Sequence, residues 1–314
     1  MKKFGISGLV VLSFIAFISL GLPDGLLGVA WPGIRTDFSL PLDALGLLLV
    51  CSTAGYTLSS FFSGTLVRRL GIGGLLSLSF AMTAAAFLVF SITPLWIFFI
   101  GAAVMGGLGA GAIDAGINTY IAQNHSERMM QWLHASFGVG ITIGPVIMTL
   151  GITWTQRWQW GYVVVAGAQI LLAAAFLMTK GWWKNISLKE EAQLREEATL
   201  AETMKKVTVW LSMLMFFIYT GVELGLGLWT YSLLTESRGV APAVAGFITG
   251  SYWGKFTLGR IMAGWYSRKF SVSTMIYFSV FLAITGTVMI LVDLYNSMTI
   301  FGIGLTGLAI APVF

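Results

Sequence analysis

Charge is missing from long stretches of this chain, and its absence limits the fold more than any motif does. Between Phe4 and Trp31 the only charged side chain is Asp24, and Ala44 to Val67 carries none. An apolar helix of about 20 residues crosses the roughly 30 Å hydrocarbon layer of a membrane. In that medium every backbone N–H and C=O must be bonded within the structure, so such runs must be helical. Composition agrees: 57% of the residues are hydrophobic and 10% charged, with a mean hydropathy of +0.85. Soluble domains carry about 25% charged residues. The expected class is therefore an all-α membrane protein. The first run is too long for a secretory signal, so it reads as a retained span.

Further spans are predicted at 44–67, 74–93, about 96–122, 132–153 and a sixth ending at Lys180. Trp154, Arg157, Trp158 and Trp160 form an aromatic-rich turn of the kind found at a membrane interface. Residues 181–206 are charged and divide the chain into a bundle at 1–180 and a second at 207–314. Spans seven to ten are placed at about 207–232, 242–266, 273–292 and 297–314. Thirteen of the 18 Lys and Arg residues share one side when the N-terminus is cytoplasmic, three fall opposite, and Lys255 and Arg260 lie within a span. Basic residues collect on the cytoplasmic side, so this bias orients the chain and accounts for its net charge of +5 without nucleic acid.

The fourth span contains the densest chemistry. Residues 101–122 read GAAVMGGLGAGAIDAGINTYIA, and helical spacing stacks Gly107, Gly111, Asp114 and Asn118 on one face. Small residues admit a neighbouring helix closely. A carboxylate in hydrocarbon is costly, so Asp114 should face a protein interior or a wet cavity. Asp24 shares a stripe with Gly21, Gly28 and Trp31 beside Pro23, whose missing N–H opens the helix backbone. By helical rise Asp24 lies about 10 Å below the outer boundary and Asp114 roughly 12–15 Å from the cytoplasmic one.

The chain also resembles itself. A shift of 200 residues sets Gly64, Arg68 and Arg69 on Gly264, Arg268 and Lys269, and sets Gly107-Leu108 on Gly307-Leu308. One residue of slippage puts Asp24 on Glu223. Two like-oriented repeats joined by a charged linker are a common secondary-transporter plan.

This arrangement resembles the major facilitator superfamily over the whole chain. Gly64 to Gly71 is similar to that family's loop motif between spans two and three, although Arg68 stands where the family usually has an aspartate. Gly140, Gly144 and Pro145 match half of a motif associated with antiporters. Asp24, Ile113-Asp114 with Asn118, and Tyr252-Trp253 through Gly259-Arg260 resemble the fucose-permease-like sugar–proton symporters. That resemblance implies coupling roles for Asp24 and Asp114. It also implies twelve spans, so the expectation is a product truncated in its tenth, ending at Phe314.

The expected function is proton-coupled symport of a sugar or similar polar solute, by a monomer in the inner (plasma) membrane. Proton-driven efflux and a non-transporting remnant are the alternatives. Asp24, Asp114 and Glu223 are the proton-coupling candidates. Asn118, Trp31, Tyr56, Gln169, Trp229 and Lys255 are candidates for substrate contact. Each has a plainer reading: packing for the amides and aromatics, and a structural Glu223–Lys255 pair for the lysine, which lies about 20 Å deep. Gly64, Arg68, Arg69, Arg260, Gly264, Arg268 and Lys269 are candidates for gating. His134 reads as a structural hydrogen bonder. No cofactor, metal or enzyme activity is expected: Gly250 to Lys255 misses a phosphate loop by one residue and lies inside a span.

Overall fold

The computed structural model describes residues 2–183, 204–266, 269–292 and 294–311, and all the regular structure in them is helical. The helices are α1 (Lys2–Asp37), α2 (Ala44–Ile92), α3 (Trp96–Asn124), α4 (Glu127–Thr155) and α5 (Gln159–Thr179). They continue as α6 (Val207–Ser232), α7 (Pro242–Tyr266), α8 (Val272–Val292) and α9 (Asn296–Ile310). A 3₁₀ turn, Lys180–Trp183, ends α5, and a π turn, Leu233–Ser237, extends α6. The predicted linker lies largely outside the described residues.

The predicted second and third spans form one 49-residue helix, α2, interrupted only at Gly71 with φ 69° and ψ 162°. Gly107 of α3 lies on the Ser52 carbonyl, while Gly109 faces Ser79 and Thr83. On a straight helix residues 52 and 83 would be about 46 Å apart. The two limbs, 44–70 and 72–92, therefore fold back at Gly71. Its backbone angles belong to a region essentially closed to side-chain-bearing residues. The expected loop at 68–71 is thus one glycine wide.

Among the described residues seven helices are long and apolar enough to cross a bilayer, with α2 counted once. Helix α7 is not among them, since Lys255, Arg260 and its glycines lower its hydropathy, and the described part of α9 has 15 residues. Large apolar side chains point outward, among them Phe61 (82% exposed), Phe217 (76%) and Leu171 (74%). Soluble proteins do not expose so much contiguous apolar surface, whereas lipid solvates it.

Backbone-to-backbone contact at glycine holds the helices together. Gly21 and Gly25 of α1 lie on the Phe137 and Ile141 carbonyls of α4, and α4 packs in turn on α7 through Thr149 against Gly246. The 200-residue register reappears in space. Gly107 meets the carbonyl of Ser52, and Gly307 meets Tyr252, where a Cβ would come 3.0 Å from the carbonyl oxygen. At the end carrying Arg35, Phe90 stacks on Phe99 with centroids 4.0 Å apart. Trp158 is buried there, donating Nε1–H to Asp37 Oδ2 at 2.8 Å, while Trp154 and Trp160 remain at the surface.

Gln169 of α5 is 1% exposed. It accepts from Thr83 Oγ1 at 3.1 Å and donates to the Ser19 carbonyl at 3.1 Å, tying α1, α2 and α5 together. Its polar groups are spent on helix packing.

Two substitutions test these points. Gly71→Ala is expected to destabilise by about 1–3 kcal/mol, read as a lower Tm in detergent, whereas Gly101→Ala, in open helical surroundings, leaves Tm unchanged or raised. Gln169→Leu is expected to cost about 1 kcal/mol and to leave ligand affinity, measured by calorimetry, unaltered.

Candidate functional site

The site begins with the glycine stripe of α3. Gly107 and Gly111 lie against the backbone of α2 at Ser52 and Tyr56, where a side chain on either glycine would strike a carbonyl. That approach sets Tyr56 beside Asp114. The phenol donates to Asp114 Oδ2 at 2.7 Å, and the Asn118 amide, one turn along, donates to Oδ1 at 3.0 Å. Both carboxylate oxygens thus hold donors. Asn118 Oδ1 is buried and has no hydrogen-bond partner among the described residues.

Asp24 faces the same interior from α1. It is accessible to water although Gly21, Gly25 and Gly28 around it are buried, and it lies within electrostatic range of Tyr56 on α2 and Glu223 on α6. A residue deep in the bundle, accessible, and near two other helices lines a cleft between them. Among the described residues nothing donates a hydrogen bond to it. The cleft is closed at the Arg35 end by a seam of backbone. A Cβ on Gly28 would come 2.9 Å from the Leu228 carbonyl oxygen and 3.0 Å from that of Gly227. Since α1 and α6 run in the same direction, Asp24 and Glu223 both sit one turn below this seam.

Glu223 belongs to a second cluster. Arg260 of α7 approaches Glu223 Oε1 at 3.9 Å, donates to the Tyr219 hydroxyl at 3.4 Å, and lies 4.4 Å from the Phe256 ring centroid. The Tyr252 hydroxyl donates to the Glu223 backbone carbonyl at 2.8 Å. His134 of α4 stands within electrostatic range of both Asp114 and Arg260. Three acids and one guanidinium therefore surround the cleft from α1, α3, α6 and α7, with His134 between the clusters. Such a surface carries excess negative charge and offers hydroxyl and amide groups. It suits a polar, uncharged solute together with a cation or proton.

The structure gathers Asp24, Tyr56, Asp114, Asn118 and Glu223 from the predicted set. Lys255 does not pair with Glu223: its Nζ lies against Gly304 of α9, and Arg260 takes the acid instead. Trp31 is fully buried against Trp96, at a centroid distance of 6.4 Å, and cannot offer a face to a solute in this conformation. Trp229 is half-buried against the core. Arg68 donates to Thr65 Oγ1 at 3.0 Å, and Arg69 and Lys269 are exposed at the same end. Gly64 is open to solvent or lipid. Gly264 lies in the last turns of α7, and Arg268 is outside the described residues. Sequence reading missed Tyr219, quoted Tyr252 only as part of a family resemblance and gave His134 only a structural role. The i, i+4 spacing of Tyr219 and Glu223 was the available signal for the first.

Comparison with known proteins supports the fold. The family model described as the Major Facilitator Superfamily matches residues 9–314. The chain is 22% identical to human sodium-dependent glucose transporter 1, over 84% of this chain and 57% of that protein. It is 20% identical to the glucose/mannose transporter GlcP of Bacillus subtilis (strain 168), over 98% and 78% of the two chains. A crystal structure of a D-xylose–proton symporter aligns with a TM-score of 0.71 and 15% identity, covering 98% of this chain and 80% of that one. The chain thus spans little more than half of the human relative. With a family match over nearly all its length and helices of the corresponding arrangement, this protein belongs to the Major Facilitator Superfamily.

Proposed function

We propose that the protein is a proton-coupled symporter that moves a sugar or similar small polar solute by alternating access. The observation that carries this reading is the polar ring set deep among apolar helices, Tyr56–Asp114–Asn118 on one side and Tyr219–Glu223–Arg260 on the other, with Asp24 between them. Intramembrane acids are expensive and persist where they work. The names of the glucose transporters above support the substrate class.

The acids divide by their surroundings. Asp114, with donors on both oxygens, suits a residue that orients Tyr56 and Asn118. Asp24 accepts no hydrogen bond among the described residues and faces Glu223, so adding one proton there relieves like-charge repulsion. That makes it the better proton carrier. In this reading the chain makes ten crossings, α2 counted as two, in bundles at 1–180 and 207–314. The linker at 181–206 and the N-terminus are cytoplasmic in a plasma (inner) membrane, and the protein acts as a monomer.

Proteoliposomes test this reading. Asp24→Asn is expected to abolish accumulation of labelled sugar driven by a pH gradient while counterflow exchange continues. Asp114→Asn is expected to raise the KM for exchange by about tenfold or more, since it weakens two charge-assisted hydrogen bonds. Undiminished pH-driven accumulation by Asp24→Asn would remove that residue from coupling. Uptake driven by a sodium gradient alone would replace the proton as the coupling ion.

A further inference from the structure

The geometry points to a device at the Arg35 end that nothing above assigns: an ion-pair latch between Arg35 and Glu236 that holds this end of the cleft shut. Arg35 Nη2 lies 2.7 Å from Glu236 Oε2, joining the last turns of α1 to the π turn after α6. The two side chains are 29% and 37% exposed, so the pair is accessible to water and can break without burying a lone charge.

Each partner is fixed to its own side of the cleft. Two residues beyond Arg35, Asp37 accepts hydrogen bonds from Trp158 Nε1 at 2.8 Å and Gln159 Nε2 at 3.1 Å, which binds the end of α1 to the start of α5. Two residues beyond Glu236, Arg238 donates to the Ile290 carbonyl at 3.2 Å, and its own carbonyl accepts from Asn296 Nδ2 at 3.2 Å. Those bonds bind the π turn to α8 and α9. The ion pair therefore connects two independently anchored bodies. A π turn is a wide, uncommon winding that often marks functional positions, and here it carries Glu236 to the arginine.

Below the latch the seam of Gly28 on the Gly227 and Leu228 carbonyls completes the closure. At the opposite end of α6, residues 210–218 are exposed and meet no such seam. The ion pair and the glycine seam belong to one conformation only, since separating α1 from α6 breaks both. An interaction present in one state and absent in the other shifts the balance between them. This inference rests on the alternating-access reading for its purpose, but its test needs neither substrate nor a gradient.

The experiment uses the 314-residue chain in lipid nanodiscs, with Cys51→Ser removing the native thiol and spin labels on Arg157→Cys and Ser297→Cys. These sites lie at the Arg35 end on opposite sides of the cleft. Pulsed electron–electron distance measurement gives the share of molecules with this end open. Arg35→Gln and Glu236→Gln are each expected to raise the ratio of open to closed by about two- to fivefold, the range set by a partly exposed ion pair. The charge-exchanged variant Arg35→Glu with Glu236→Arg is expected to return the ratio to that of the parent. Identical distance distributions in the parent and both single variants would overturn the latch. So would single variants that open while the exchanged pair fails to restore closure, because the effect would then belong to packing and not to the ion pair.

Discussion

Without water to expel, apolar helices gain little from one another's greasiness, and close backbone approach becomes the main source of cohesion. In this protein that approach occurs where a glycine on one helix meets a carbonyl on the next. Gly107 and Gly111 on α2, Gly21 and Gly25 on α4, and Gly28 on α6 all follow this pattern. The polar chemistry depends on it. Asp114 meets Tyr56 because the glycines one and two turns away remove every atom that would hold α3 off α2. A side chain at Gly111 would strike the Tyr56 carbonyl and the Ser59 and Ser60 hydroxyls, pushing α2 away and Tyr56 off the carboxylate.

The charges add a second requirement. Each acid near the cleft answers it differently: Asp114 with two donors, Glu223 with a nearby guanidinium and a tyrosine, Asp24 with access to water. A network satisfied throughout would be rigid, and one satisfied nowhere would be unaffordable in hydrocarbon. The unequal treatment leaves one member, Asp24, without a donor among the described residues while its neighbours are held by theirs.

Much of this was legible in the residues. Charge-free runs located the helices, and the stripe from Gly107 to Asn118 named two members of the site, Asp114 and Asn118, because helical periodicity is local information. Partnerships between distant helices were not local and were harder to read. Lys255 and Arg260 are both cations in α7, and only the rotation of that helix decides that Arg260 turns to Glu223 while Lys255 turns to Gly304. Trp31 and Gln169 carry polar groups able to meet a polar solute, and their complete burial is a property of the assembled bundle. The break at Gly71 was expected as a loop, since nothing in the surrounding sequence announces that one residue suffices to reverse a 49-residue helix.

The seam between α1 and α6 joins Gly28 to Leu228, positions that correspond under the 200-residue shift. Contact between equivalent positions marks where the pseudo-twofold axis of a duplicated bundle runs. Any residue beside that axis is confronted by its own counterpart, so an acid in the first helix of an ancestral unit becomes a facing pair as soon as the unit is doubled. Asp24 and Glu223 stand close to that relation, one residue out of register. The meeting of two acids at the centre of the protein thus follows from the repeat: where like-oriented helices touch at equivalent positions, acids placed alike along each helix are brought together.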